Sequence, residues 1–175
     1  MKRLVLLGVG GFAKTIADLA SQSKVYSEII FLDDNLGAKN TAGVCADFVK
    51  FKTADTEIYP AFGTNEIRLK WLDILTEKYV SVPSFIHPTA YISPTVKLGK
   101  ASVILPKAVI NTNCRLERGC IINCGAVLDH DCVLEEGVHV CIGALVKAEN
   151  HLPAKLKVEA GQVILNRTYS LQEKL

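Results

Sequence analysis

An aliphatic side chain recurs at every sixth position between residues 86 and 164, without an insertion or a deletion. The fourteen residues of this series are Ile86, Ile92, Leu98, Ile104, Ile110, Leu116, Ile122, Leu128, Leu134, Val140, Val146, Leu152, Val158 and Ile164. The residue four places after each is usually small, and this second pattern weakens only at Asn150, Leu156 and Gln162. A period of six is typical of β-helical solenoids, in which each short strand contributes one inward residue before a corner. We therefore predict an all-β parallel β-helix over residues 86–165.

The first 85 residues carry a different pattern, in which predicted strands alternate with predicted helices. The elements are a strand over residues 2–7, a helix over 12–20, a strand over 28–32, a strand over 56–63, a helix over 65–78 and a closing strand over 82–86. Residues 37–53 fit no regular element. The βαβ opening predicts an α/β half-Rossmann domain over residues 1–85, which suits a mononucleotide-sized ligand.

Two features of this domain suit a nucleotide. The turn Gly8-Val9-Gly10-Gly11 joins the first strand to the first helix, where glycines admit phosphates and the helix N-terminus offers free N–H groups. Asp33 and Asp34 end the second strand, where carboxylates accept hydrogen bonds from a ribose or a base. The turn lacks the full dinucleotide fingerprint, and glycine also serves close packing in such turns. The residues alone leave both interpretations open.

Charge and cysteine usage narrow the class of protein. The net charge of +2 gives no electrostatic case for a nucleic acid or an anionic membrane, and no apolar run approaches the roughly 20 residues that span a bilayer. The six cysteines contain no CxxC pair. We interpret them as free thiols that fill small apolar positions, because neither a disulfide framework nor a metal site is favoured by their spacing. Free thiols predict a cytoplasmic location.

Two histidines stand out within the repeat. His130 lies between Asp129 and Asp131, and His139 follows half a coil later. A neighbouring carboxylate fixes the tautomer of an imidazole and raises its basicity, so this corner suits a general base. A solvated polar corner is the alternative for His130, and an exposed edge histidine is the simpler interpretation of His139.

The order of several segments resembles one known family. The GxGGxAK turn, the acidic pair, the FGTNEIR, FIHPTA and VLDHD segments and the hexapeptide repeat resemble the sialic-acid O-acetyltransferase family of sugar acetyltransferases. This family includes the bacillosamine and perosamine N-acetyltransferases of bacterial glycan synthesis. The resemblance covers nearly the whole chain. It implies a left-handed β-helix with three hexads per coil, a homotrimer, acetyl-CoA as co-substrate between neighbouring β-helices, and a nucleotide-linked sugar on the N-terminal domain.

The resemblance also implies roles for individual residues. In the β-helix, His130 would deprotonate the acceptor amine or hydroxyl, Asp131 would support it, and His139, Gly143 and Ala144 would contact acetyl-CoA. In the N-terminal domain the implied substrate contacts are Gly10, Gly11 and Phe12 at the diphosphate, Asp33 and Asp34 at the nucleoside, and Gly63 in the wall of the same pocket.

Two departures from the family pattern bear on the ligands. Phe12 stands where the family turn usually has histidine, so one polar contact to the nucleotide or sugar is missing. The β-helix is also short, with a tail over residues 166–175 in place of further coils. Because the pantetheine arm of the coenzyme runs along those coils in the family, we expect its binding to be altered.

The expected reaction is the transfer of an acetyl group from acetyl-CoA to the amine of a nucleotide-linked amino-deoxy-sugar, with UDP as the expected nucleotide. O-acetylation of sialic acid or a related sugar is the alternative. More remote alternatives are a zinc enzyme resembling the γ-type carbonic anhydrases, which hold zinc with three histidines, and a non-catalytic sugar-nucleotide-binding protein. We expect no metal, no nucleic-acid partner and no membrane insertion.

Overall fold

The computed structural model describes residues 1–35 and 37–170, so the last five positions of the predicted tail, 171–175, lie outside the described residues. The chain divides into two compact units, Met1–Pro83 and a second unit that begins at Ser84. No helix within the described ranges is both long enough and apolar enough to cross a bilayer.

The first unit is an α/β half-Rossmann fold built on a parallel sheet in the order β2-β1-β3. Its elements are β1 (Lys2–Leu7), α1 (Gly11–Gln22), β2 (Tyr26–Leu32), a 3-10 helix (Cys45–Phe51), β3 (Thr56–Pro60) and α2 (Asn65–Glu77). The central strand is buried from Leu4 to Leu7, because a parallel sheet between helices has two covered faces. Helix α1 buries Ala13, Ile16 and Leu19, at the spacing of one helical face.

The predicted strands and helices of this unit are confirmed except near residue 60 and after residue 81. Strand β3 ends at Pro60 rather than at residue 63. Pro60 is in register with Leu7, the last residue of β1, and the N–H of Ala61 bonds to the carbonyl oxygen of Leu7. The predicted closing strand over 82–86 is wrong. Only Ser81 bridges β3, Pro83 has no N–H to donate, and residues 85–86 pair within the second unit.

The second unit is a left-handed parallel β-helix of fourteen two-residue strands. The strands are β4 (Phe85–Ile86), β5 (Tyr91–Ile92), β6 (Lys97–Leu98), β7 (Val103–Ile104), β8 (Val109–Ile110), β9 (Arg115–Leu116), β10 (Ile121–Ile122), β11 (Val127–Leu128), β12 (Val133–Leu134), β13 (His139–Val140), β14 (Leu145–Val146), β15 (His151–Leu152), β16 (Lys157–Val158) and β17 (Val163–Ile164). The second residue of every strand is the aliphatic residue of the six-residue series. Three stacked sheets result. Face 1 contains β4, β7, β10, β13 and β16; face 2 contains β5, β8, β11, β14 and β17; face 3 contains β6, β9, β12 and β15.

The two sequence series fill one continuous core. Aliphatic residues such as Ile122 and Leu128 meet small corner residues such as Ala126, and all three are fully buried. A corner leaves room only for a short side chain, which explains why small residues recur four places after each aliphatic. The six cysteines are free thiols, as predicted, and five of them are buried.

A third six-residue series lies in the backbone. The residue three places after each aliphatic has a positive φ at twelve consecutive corners, from Ala101 to Arg167. Five of the twelve are glycine, and Asn113 and Asp131 are also among them. Glycine adopts this left-handed conformation freely, and Asn and Asp tolerate it better than other residues. Each corner is therefore a tight turn whose direction is set by one residue.

Candidate functional site

His130 lies in the corner between β11 and β12, next to the carboxylate of Asp131. The Nδ1 atom of His130 is 2.7 Å from Oδ2 of Asp131. A carboxylate only accepts hydrogen bonds, so Nδ1 carries the proton and a neutral ring leaves Nε2 as the free base. The His130 side chain is 51% exposed, so an external molecule can reach it. The pair has the arrangement that a general base requires.

The surroundings of His130 are acidic. The hydrogen bond that His130 donates to Asp131 raises the pKa of His130 above its ordinary value. The charges of Asp129, Asp131 and Glu149 also raise this pKa, while a partial loss of solvation lowers it. In return, the contact with His130 and a hydrogen bond from Asn113 lower the pKa of Asp131. His130 is therefore a stronger base than a free imidazole.

Neighbouring coils hold the His130 corner on both sides. From the preceding coil, the Cys114 thiol donates to the carbonyl oxygen of Asp129 at 2.9 Å. From the following coil, the N–H of Glu149 donates to the carbonyl oxygen of His130 at 3.2 Å. Glu149 is itself paired with Arg167, which lowers the pKa of the Glu149 carboxyl group. The backbone around His130 is thus fixed by contacts that the sequence pattern does not reveal.

His139 lies on β13, on a different face of the β-helix. The ring is largely buried, and its Nε2 is 3.2 Å from Nδ2 of Asn123. The Asn123 side-chain oxygen accepts the N–H of Cys124 at 2.8 Å, which turns its amide nitrogen toward His139. Nε2 of His139 therefore accepts, and the ring is a neutral imidazole with its proton on Nδ1. The sequence prediction did not include Asn123.

Gly143 and Ala144 lie in the corner that follows β13. Gly143 is exposed, has a φ of +64°, and a Cβ atom built on it would meet no atom within 4 Å. Ala144 is fully buried among the core residues. Of the two predicted coenzyme contacts, Gly143 is the one with open space beside it.

The predicted residues of the first unit come together at one edge of its sheet. Leu7 of β1 is in register with Leu32 of β2 and Pro60 of β3. The glycine turn, the acidic pair and Gly63 each follow one of these strands, so they share the carboxyl edge of the sheet. Ligands of parallel α/β sheets bind at this edge.

Both aspartates of the acidic pair also organise the backbone. The carboxylate of Asp33 accepts the N–H of Val9 at 2.9 Å through one oxygen and the N–H of Asn35 at 2.8 Å through the other. Oδ1 of Asp34 accepts the N–H of Cys45 at 2.8 Å. Asp33 therefore ties the glycine turn to the end of β2, a structural role beside any contact with a ligand.

Three glycines at this edge have no packing reason to be glycine. A Cβ atom on Gly10, Gly11 or Gly63 would meet nothing within 4 Å. Gly8 is different, because its φ is +105° and a Cβ atom would lie 3.3 Å from the Phe62 ring. Gly8 is thus a structural glycine, whereas Gly10, Gly11 and Gly63 leave open space. The half-buried Phe12 follows Gly10 and Gly11 in the chain.

The loop that carries Gly63 is held by a buried arginine that the sequence analysis did not identify. Arg68 is fully buried, and its guanidinium donates to the carbonyl oxygen of Phe62 at 3.0 Å and to Oδ1 of Asn65 at 2.8 Å. A single sequence does not show that an arginine on a helix is buried. The one indication for Arg68 was its place in the FGTNEIR segment.

The other histidines have local partners. Nε2 of His151 is 2.8 Å from Oε1 of Glu135, and Nδ1 of His87 accepts the N–H of Thr89 at 3.1 Å. In residues 1–35 and 37–170, no three His, Cys, Asp or Glu side chains gather into a group that could hold a metal ion.

Comparisons with known proteins agree with this architecture. Residues 3–75 match the family model of the PglD N-terminal domain. The acetyltransferase domain of PglB from Neisseria gonorrhoeae is 30% identical in sequence, with a TM-score of 0.86 over 93% of this chain and 82% of that one. The same domain in complex with acetyl coenzyme A gives 30% identity and a TM-score of 0.85, with 93% and 81% covered.

A more distant structure has the same fold. A mutant of perosamine N-acetyltransferase from Caulobacter crescentus, in complex with CoA and GDP-perosamine, is 23% identical, with a TM-score of 0.83 over 95% of this chain and 90% of that one. No curated protein matches the chain.

Proposed function

Because the chain belongs to the PglD-like sugar acetyltransferases, we propose that it transfers the acetyl group of acetyl-CoA to the amine of a nucleotide-linked amino-deoxy-sugar in bacterial glycan biosynthesis. The observation that carries the proposal is the 2.7 Å contact between His130 Nδ1 and Asp131 Oδ2, on a chain 30% identical to an acetyltransferase domain. That contact leaves Nε2 of His130 as a free base.

In this reaction His130 acts as the general base. The acceptor amine attacks the carbonyl carbon of the thioester, and its proton passes to Nε2 as the C–N bond forms. The C–S bond then breaks, and CoA leaves as the thiol with the proton from the His130 imidazolium. Asp131 holds the ring in the required tautomer and stabilises its charged form. No covalent enzyme intermediate is needed, so the buried cysteines have no chemical step to perform.

We assign the coenzyme to the region around His139 and Gly143. Asn123 fixes the orientation of the His139 ring, which would contact the acetyl thioester. Exposed Gly143 leaves space for the coenzyme beside the β13 corner, while buried Ala144 contributes packing below it. Backbone N–H groups are suited to stabilise the oxyanion of the tetrahedral intermediate.

The nucleotide-linked sugar would bind at the carboxyl edge of the first unit's sheet. Open space at Gly10, Gly11 and Gly63 suits the approach of a diphosphate, and the N-terminus of α1 attracts negative charge. Phe12 lies in the same turn and offers an aromatic surface. The carboxylates of Asp33 and Asp34 retain lone pairs for the nucleoside, for which we propose UDP.

Two observations support a homotrimer. The outward residues of face 2 form an apolar ladder, with Tyr91, Val109, Val127, Leu145 and Val163 stacked in register. Tyr91, Leu145 and Val163 are 55%, 41% and 48% exposed, and contiguous exposed apolar surface marks an interface. In addition, His130 precedes face 3 and His139 follows it, so a complete site would draw on neighbouring copies.

The six cysteines are free thiols, which favours the cytoplasm as the location of the protein.

The test is thiol release from acetyl-CoA over a panel of UDP-, GDP- and dTDP-linked amino-sugars and free sialic acid. We expect turnover with one nucleotide-linked amino-sugar. His130→Ala should lower kcat/KM by roughly 10²- to 10⁴-fold, the usual contribution of a positioned base. His87→Ala, which removes a ring hydrogen-bonded to Thr89 of its own turn, should keep activity. Because the neutral ring is the base and Asp131 raises the pKa of His130, kcat/KM should fall with decreasing pH through a value above 6.5.

Four results would overturn the proposal. Turnover with sialic acid alone would make the chain an O-acetyltransferase. Binding of a nucleotide sugar without turnover would favour a non-catalytic binding protein, and retained activity in His130→Ala would remove His130 as the base. Hydration of carbon dioxide, abolished by a chelator, would favour the zinc enzyme.

A further inference from the structure

We propose that Asn113 is a positioning residue for His130, acting through Asp131 from the preceding coil. The inference rests on the proposed role of His130 as general base and adds a third residue to the His130–Asp131 pair. The array runs from Asn113 to Asp131 to His130 and spans two coils of the β-helix. Nothing in the local sequence around His130 points to Asn113.

Geometry is the first support. Asn113 lies 18 residues before Asp131, so the two residues occupy the same corner position in consecutive coils. Nδ2 of Asn113 donates to Oδ1 of Asp131 at 3.1 Å, and Oδ2 of the same carboxylate is 2.7 Å from Nδ1 of His130. Each carboxylate oxygen thus has its own partner. Two partners on opposite oxygens restrict rotation of the carboxylate and aim it at the ring.

The backbones of Asn113 and Asp131 are also fixed. The N–H of Asn113 donates to Oγ1 of Thr95 at 2.8 Å, and the N–H of Asp131 donates to the carbonyl oxygen of Thr112 at 3.0 Å. The adjacent residue, Cys114, holds the carbonyl oxygen of Asp129. The preceding corner therefore holds the residues on both sides of His130, and the Asn113 amide starts from a fixed position.

The fold itself does not require the Asn113 side chain. Asn113 is exposed and has a φ of +60°, a conformation that glycine adopts at five other corners of the β-helix. A hydrogen bond on the protein surface contributes little to stability, because water competes for both partners. The turn explains why an Asn is tolerated here, but not why its amide is directed at Asp131. Orientation of the base explains that contact.

The experiment compares Asn113→Gly with Asn113→Asp, using kcat/KM as a function of pH with the acceptor that the substrate panel identifies. Both substitutions suit a positive φ, because Gly125 and Asp131 occupy equivalent positions. Both remove the donor to Asp131, so each should lower the plateau of kcat/KM by roughly tenfold, a part of what a positioned base contributes.

The two variants should move the acidic limb of the profile in opposite directions. With glycine, Asp131 rotates away from Nδ1 more often, so the pKa of His130 falls and the limb moves to lower pH. With aspartate, an added negative charge favours the imidazolium, so the pKa of His130 rises and the limb moves to higher pH. If Asn113 only supported the fold, neither substitution would move the acidic limb.

Lys107→Gly is the matched control, because Lys107 is exposed and has a φ of +59° in a corner away from His130. This variant should leave the plateau of kcat/KM and the acidic limb of the pH profile unchanged. Unchanged profiles in both Asn113 variants, with His130→Ala inactive, would overturn the role of Asn113 alone. Retained activity in His130→Ala would instead overturn the general base on which this role depends. Melting temperatures near that of the parent chain would show that both variants fold.

Discussion

At the residue scale, the exception at Asn150 shows how this β-helix treats a buried polar group. Asn150 interrupts the series of small corner residues and is 1% exposed. Its amide nitrogen donates to the carbonyl oxygens of Lys147 at 2.7 Å and Leu165 at 2.8 Å, and its oxygen accepts the N–H of Tyr169 at 3.0 Å. In the preceding coil the equivalent residue is Cys132, whose thiol donates to Lys147 at 3.4 Å. Asn150 thus links its own corner to the chain that follows one coil later, through both its amide nitrogen and its oxygen.

We expect Asn150→Ala to lower the free energy of unfolding by about 2 kcal/mol, because the substitution leaves buried backbone groups without partners. Asn150→Cys should lower it by less, since a thiol at this position can still donate one hydrogen bond, as in the coil before. Urea denaturation followed by circular dichroism measures both values. Equal losses of unfolding free energy in the two variants would mean that a hydrogen-bond donor at position 150 does not stabilise the fold.

At the element scale, the turn between β1 and α1 separates glycines that the fold needs from glycines that leave space. Gly10 is the N-cap of α1 with a φ of −67°, which any residue adopts, and a Cβ atom there meets no atom within 4 Å. Replacement of Gly10 by alanine therefore causes no steric clash within the chain. If a diphosphate approaches this turn, however, the added methyl group occupies its space.

Gly10→Ala should therefore keep the melting temperature within a degree or two and raise KM for the nucleotide-linked sugar by roughly tenfold, the effect of about 1.4 kcal/mol in binding. KM for acetyl-CoA should not change. Gly161→Ala is the contrasting variant, because Gly161 has a φ of +68° in a late corner. It should lower stability by about 1 kcal/mol and leave KM for the sugar unchanged. A normal sugar KM in Gly10→Ala would move the diphosphate away from this turn.

The elements also show what one sequence can predict. Each strand from β4 to β17 needs one inward aliphatic side chain, so a strict six-residue series predicted all fourteen. The closing strand predicted over residues 82–86 was wrong, because the sequence alone does not show that Phe85 pairs with Val103 of the β-helix. His130 and Asp131 are adjacent in sequence and could be proposed together. Asn113 could not, because its contact depends on how the corners stack and on a side-chain conformation.

At the scale of the whole molecule, the apolar ladder of face 2 is the surface on which the proposed homotrimer depends. The outward residues of face 3 in the same coils include Lys97 and Arg115, which suit solvent. Face 2 instead presents aromatic and aliphatic side chains in every coil, and Leu145 among them is 41% exposed. Burial of apolar surface contributes about 25 cal/mol per Å², so a ladder of five stacked residues favours association of copies.

Leu145→Glu should convert the proposed homotrimer into monomers, because three carboxylates would be buried against apolar surface without partners. Sedimentation velocity at several concentrations measures the mass in solution. We expect turnover to fall together with the trimer, since His130 and His139 lie at opposite sides of face 3 within one chain. Val49→Glu is the control, because Val49 is 55% exposed on the first unit and lies outside the ladder. A Leu145→Glu protein that stays trimeric would exclude face 2 as the interface. A fully active monomer would mean that one chain contains the complete site.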